Sequence, residues 1–176
     1  MKQLFLSLFV LFTLSCSAQK AEVNATKNKS GDLVGIANKQ SFLQEPYKEW
    51  FDFGYDDYAP DEEIVKKLKP LLKKVTVKTF MGTWCGDSQE QTPIFYKILD
   101  ATDFKYKKLE MITVNRKKKT PDNLQKGFDI KRVPTMIFFN KKGEEIGRIV
   151  EYPRESIEAD MLKILSGEPY KHSYEE

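Results

Sequence analysis

The chain is poor in the residues that most site chemistry uses. Its 176 residues include one histidine, His172, and two cysteines, Cys16 and Cys85. A zinc site needs about four such ligands, so none is expected. His172 lies in a polar C-terminal run and reads as solvated, which leaves no base for a Cys–His nucleophile. Long hydrophobic runs are also missing. The longest, Leu4 to Leu14, is interrupted by Ser7 and Thr13. It falls well short of the roughly 20 residues that span a bilayer as a helix. Neither charge sign dominates, with 29 basic against 26 acidic residues and a net charge of +3. That balance gives no footprint for nucleic acid. The chain carries no phosphate-binding loop or dinucleotide fingerprint, and its acidic residues are scattered rather than paired. No cofactor and no metal are therefore expected.

What remains is 40% hydrophobic, 12% aromatic and 31% charged. That is an ordinary globular composition. At ~150 residues per domain, the length fits one domain with something appended.

The N-terminus reads as a processing signal. Met1-Lys2-Gln3 is a short basic start, the apolar run follows, and small residues come next, as in a secretory signal peptide over 1–18. Two outcomes stay open. Cys16-Ser17-Ala18 suits ordinary cleavage, whereas Leu14-Ser15-Cys16-Ser17 is similar to a bacterial lipoprotein box that would leave Cys16 lipidated. Either way the protein is expected to be exported, periplasmic or membrane-anchored, without a transmembrane helix in the mature chain. Cys85 would then be its single thiol, so no disulfide can form within one chain.

Residues 19–32 are polar and small and read as a flexible tether. Residues 33–60 form an aromatic-rich extension, in which Tyr47, Trp50, Phe51, Phe53, Tyr55 and Tyr58 alternate with aspartates. That load suits either a segment packed on the main domain or an aromatic wall beside a substrate groove. The main domain is expected over 61–167, with a polar tail at 168–176. Asp61 can cap a helix with Ile64, Leu68, Leu71 and Leu72 on one face, and Pro70 should kink or end it. Val75–Phe80 and Leu109–Val114 read as strands flanking a helix from Gly86 to Ala101. Met136–Phe139 and Glu145–Val150 bracket Asn140-Lys141-Lys142-Gly143, a hairpin turn. A last helix carries Ile157, Met161, Ile164 and Leu165 and stops at Gly167. The order predicts a mixed central β-sheet with helices on both faces.

Cys85 falls where a strand gives way to a helix, in Trp84-Cys85-Gly86-Asp87-Ser88. A thiolate there would face unpaired helix N–H groups and the positive end of the helix dipole, which favour it. Gly86 would let the backbone turn closely around the sulfur. Ser88 is spaced to donate to the thiolate, and Asp87 acts against it. Farther on, Val133-Pro134-Thr135 opens an apolar strand.

These motifs, with Pro93 eight residues after the cysteine, resemble the thioredoxin superfamily over about 61–166. The signal peptide and aromatic extension are further similar to exported thioredoxin-like proteins of the Bacteroidetes type. The resemblance implies a thioredoxin fold. It also implies a cis Pro134 against Cys85, a Val133 backbone that pairs with substrate, and Trp84 flanking the thiol. Gly86, Asp87 and Thr135 would complete the substrate-facing surface. The departures are equally specific. Ser88 stands where redox-active members carry a second cysteine. Thr79 stands where they bury an aspartate, and Met111 stands at the position of its lysine partner. A cycle within one chain is excluded, because nothing can resolve a mixed disulfide internally. The expected activity is thiol–disulfide exchange through Cys85, assisted by Ser88 and Pro134. Its partners would be protein or low-molecular-weight thiols and disulfides, and an outside thiol would complete each cycle. The alternatives are a non-catalytic binding module that recognises its ligand through Tyr47–Tyr58, and ligation of a cluster by paired copies.

Overall fold

The computed structural model describes residues 22–175, so the signal segment 1–18 and Cys16 lie outside the described residues. The elements are β1 (Thr26–Lys27), β2 (Leu33–Ala37), α1 (Lys39–Phe42), α2 (Lys48–Asp57), α3 (Glu62–Leu72), β3 (Thr76–Met81), α4 (Gly86–Ala101), a 3₁₀ turn (Tyr106–Lys108), β4 (Leu109–Thr113), β5 (Thr135–Phe139), β6 (Glu145–Val150) and α5 (Ile157–Ser166).

The six strands form one mixed sheet in the order β1-β2-β4-β3-β5-β6. β3 and β4 are parallel, with Val77 opposite Leu109 and Met81 opposite Thr113, and α4 is the crossover between them. The other pairings are antiparallel. The architecture is a thioredoxin fold, a mixed sheet flanked by helices.

Local chemistry explains most boundaries. Asp61 accepts hydrogen bonds from the Glu63 and Ile64 N–H groups and starts α3. Pro70 sits in the last turn, and the helix ends at Leu72. Ser156 caps α5 through the Ala159 N–H, and Gly167 closes it in the left-handed conformation, with φ 81°. Glycine suits that place because it has no Cβ to clash.

Strand alternation sends Val77, Met81, Met111, Met136 and Phe138 towards the helices. Phe80, Ile112 and Ile137 face the other way, where Leu124, Phe128 and Ile130 cover them. The sequence predicts helices on both faces, but this second face is closed by the irregular connection between β4 and β5. Three apolar side chains suffice there, so no amphipathic helix is required.

Two further expectations change. The segment read as a tether is ordered from Thr26, because Thr26 and Lys27 pair with Val34 and Leu33. Asp32 is buried there and accepts from the Asn28 side chain. The 33–60 segment packs on the main domain, contributing β2 to the sheet and α2 to the surface of α4. Tyr47 and Phe51 are buried with Phe42 and Tyr96. Gly54 allows the close approach of the two helices, since a Cβ there would sit 2.6 Å from Pro93 Cγ.

The tail is not simply solvated either. Arg154 donates to the carbonyls of Lys171, His172 and Glu175. Tyr170 donates to Asp160 at 2.7 Å, and Ser173 donates to the Tyr152 carbonyl. His172 is half-buried beside Glu175, and burial lowers its pKa. No described helix is long and apolar enough to cross a membrane.

Candidate active site at the start of helix α4

β3 runs out at Met81, and the chain turns through Gly82-Thr83-Trp84. The Cys85 N–H donates to the Gly82 carbonyl at 2.9 Å and closes that turn. Cys85 is the N-cap of α4 with φ −101° and ψ 125°, and its carbonyl accepts from the Gln89 N–H. The half-buried sulfur therefore lies beside the first-turn N–H groups of a 16-residue helix. The partial positive charge of a helix start favours an anion at this place.

The thiol has two neighbours. Its S–H donates to the Val133 carbonyl at 3.3 Å, and Asp87 Oδ2 lies 3.8 Å from Sγ. The first contact belongs to the protonated thiol, since a thiolate has nothing to donate. The Asp87 carboxylate, exposed on the first turn, disfavours a second negative charge. The Val133–Pro134 peptide is cis, as the resemblance implied. Thr135 Oγ1 donates to the Arg132 carbonyl at 2.8 Å, and the Glu151 N–H donates to the Pro134 carbonyl at 2.7 Å. These bonds hold the Val133 loop from both sides.

Trp84 flanks the cysteine, half-buried, with its indole N–H donating to the Val114 carbonyl at 2.9 Å. The Arg116 guanidinium lies 5.5 Å from the ring centroid. Thr83 Oγ1 accepts from the Leu33 N–H, and its carbonyl accepts from the Gln89 side chain, which ties the turn to β2 and α4.

Two residues do not act as expected. The Ser88 hydroxyl is fully buried and accepts the Gly82 N–H at 3.2 Å, so it braces the turn and makes no hydrogen bond to the sulfur. Gly86 is exposed, and a Cβ there would meet nothing within 4 Å. Neither a close contact nor a positive φ requires glycine there. Thr79 and Met111 are register partners and both are buried. They are therefore neighbours in the sheet, and the Thr79 hydroxyl has no hydrogen-bond partner.

The structure brings Trp84, Cys85, Asp87, Val133, Pro134 and Thr135 to one place. It adds Arg116, which the sequence does not single out and whose only signal is proximity in sequence to Val114, whereas Arg132, which precedes Val133 in the same motif, turns to Glu151. A cavity of about 810 Å³ lies elsewhere, lined by Lys78, Tyr96, Leu109, Glu110 and Phe139 and by none of the site residues. Among the described residues there is no cluster of three or more His, Cys, Asp or Glu that could hold a metal ion.

A family profile described as thioredoxin matches residues 38–163. The chain belongs to the thioredoxin family. The matched span begins ahead of Asp61, so it takes in the aromatic α2. Thioredoxin H9 of Arabidopsis thaliana is 27% identical over 96 residues, which cover 54% of this chain and 64% of that protein. The chain thus spans a little under two thirds of that thioredoxin's length. Among solved structures, a protein of unknown function from Pseudomonas aeruginosa has a TM-score of 0.56 at 12% identity, covering 75% of this chain and 93% of its own. An HIV epitope-scaffold has a TM-score of 0.50 at 15% identity, covering 77% of this chain and 88% of its own. These two likenesses concern the fold alone.

Proposed function

We propose that this thioredoxin-family protein carries out thiol–disulfide exchange through the single nucleophile Cys85. The supporting observation is the placement of a half-exposed sulfur at the N-cap of α4, within 3.3 Å of the Val133 carbonyl and beside the cis Val133–Pro134 peptide. The S–H first leaves the Val133 carbonyl and loses its proton to solvent. The Cys85 thiolate then attacks one sulfur of a partner disulfide. A Cys85–partner S–S bond forms, the partner's own S–S bond breaks, and the departing thiolate takes up a proton. Ser88 offers no second thiol, so an outside thiol, from a protein or a small molecule, attacks the mixed disulfide and regenerates Cys85.

We further propose export, to the periplasm or to a membrane through a lipid on Cys16, on the strength of the Leu4–Leu14 run and the small residues after it. The mass of the mature N-terminal peptide distinguishes the two.

The rival reading, a binding module that has lost turnover, draws support from the protonated thiol contact and the nearby Asp87. Its proposed recognition surface is reduced, because Tyr47 and Phe51 are only 3% and 1% exposed, while Phe53 stays 74% exposed. The deciding experiment is the rate of Cys85 alkylation by iodoacetamide in the folded chain, with Cys85→Ser as background. Labelling of the folded chain at neutral pH is expected. A thiol that resists labelling until the chain is unfolded would overturn the exchange reading.

A further inference from the structure

Resting on the exchange reading, we infer that the disulfide taken by Cys85 carries negative charge close to its sulfur, as a carboxylate-bearing small thiol or an acidic peptide would. Asp87 Oδ2 lies 3.8 Å from Sγ. A cation stands by the residue that precedes the thiol: the indole of Trp84 is tied to Val114, and the Arg116 guanidinium lies over its ring.

Arg116 is open to solvent, with 66% of its side chain exposed, and its carboxylate partner Asp32 is 3.8 Å away. The next three residues are lysines, presented from a built turn. Asn115 Oδ1 accepts from the N–H groups of Lys117 and Lys119, and the Asn115 N–H donates to the Lys119 carbonyl. None of the ammonium groups of Lys117, Lys118 and Lys119 has an ion-pair partner among the described residues. Arg132, next to Val133, does not add to this charge, because its guanidinium is paired with Glu151 at 3.2 Å and lies 3.9 Å from the Tyr174 ring centroid.

An anionic substituent is repelled by the Asp87 carboxylate, so its favoured approach to Sγ is from the Trp84 side, where the Arg116 guanidinium and the lysine turn that follows it in sequence supply positive charge. An anionic substituent is attracted on that path and a cationic one is repelled. Uncompensated charge of one sign beside a reaction centre raises the encounter rate of the opposite sign.

The test measures mixed-disulfide formation on Cys85 by mass spectrometry with three small symmetric disulfides: anionic 3,3′-dithiodipropionate, neutral 2-hydroxyethyl disulfide and cationic cystamine. Each rate is divided by that of free 2-mercaptoethanol with the same probe, which removes the probe's own reactivity. At low salt the normalised anionic-to-cationic ratio is expected to be about 10, falling towards about 1 at about 0.5 M salt as screening shortens to a few ångströms. Arg116→Gln is expected to lower the ratio at least ~3-fold, and the double variant Lys117→Gln/Lys119→Gln to lower it as well. A carboxylate-rich peptide disulfide reacting faster than dithiodipropionate assigns an acidic protein segment as the source, and a slower one assigns a small acidic thiol. Equal normalised rates for all three probes would overturn the charge preference and leave exchange standing. A preference that survives both variants would overturn its assignment to these residues. A folded chain that reacts with no probe, while the unfolded chain reacts with all, would overturn the exchange reading and this inference with it.

Discussion

Gly82→Ala tests the geometry of the turn that carries the thiol. A Cβ on Gly82 would lie 2.6 Å from Trp84 Cε2, 2.7 Å from Nε1 and 2.9 Å from Cζ2. These separations are shorter than any real carbon contact, and the indole cannot swing aside freely. Its N–H is bonded to the Val114 carbonyl, and its face meets Arg116. Overpacking of this kind costs about 1–3 kcal/mol. Losing the Trp84–Val114 hydrogen bond as the ring shifts adds ~0.5–1.5 kcal/mol. The total, about 1.5–4.5 kcal/mol, corresponds to a fall of roughly 3–18 °C in Tm for a domain of this size.

The informative measurement is a double-mutant cycle by urea unfolding, followed by circular dichroism. In a Trp84→Ala background the indole is gone and the new methyl has room, so Gly82→Ala should cost less than ~1 kcal/mol. The two sites should therefore couple by at least ~1 kcal/mol. Equal costs in both backgrounds would refute the claim that Gly82 is required by the indole. The single variant should also alter the alkylation rate of Cys85, because Trp84 immediately precedes it.

Three other predictions rest on different contacts. Ser88→Ala leaves the buried Gly82 N–H without its acceptor and should destabilise by about 1–3 kcal/mol in urea; a loss of Cys85 labelling with unchanged stability would show instead that the hydroxyl serves the thiol. Burial works to raise the Asp100 pKa, but hydrogen bonds from Lys39, Tyr106 and Tyr55 outweigh it and hold the carboxyl below its ordinary value. Its contribution is present above the unfolded carboxyl value of ~3.9 and lost as pH falls through the lower folded value, so Asp100→Asn should flatten the urea midpoint against pH in that acidic window. Arg154→Gln removes the donors to three tail carbonyls. Limited trypsin digestion at Lys171 should then speed up at least ~5-fold, because local opening governs such cleavage.

The legible elements were those whose signals are local. The α4 boundaries, Gly86 and Ala101, follow from a strand-to-helix change of period and an apolar face at Ile94, Phe95, Ile98 and Leu99. β6, the Asn140–Gly143 turn, the Asp61 cap and the Gly167 stop were read from residue chemistry that needs no distant partner. β2 was not legible, because Leu33-Val34-Gly35-Ile36-Ala37 is short and broken by glycine. It becomes a strand by pairing with β4, far along the chain. α2 was equally obscure, since its aromatic residues are ordered by Phe42, Tyr96 and Pro93 rather than by helical spacing alone.

The site divides the same way. By itself the sequence determined that one thiol stands at a strand–helix junction, that position 88 holds a hydroxyl in place of a second thiol, and that Pro134 opens a strand. Those facts follow from residue identity and periodicity along a single stretch of chain. Only the tertiary structure decided which groups meet the sulfur. It brought the Val133 carbonyl to 3.3 Å, turned Ser88 towards Gly82, set Arg116 over Trp84 and folded the tail onto Arg154. The Val133 and Arg116 contacts join groups whose positions are set by sheet register and by the irregular connection after β4. No local pattern encodes that register.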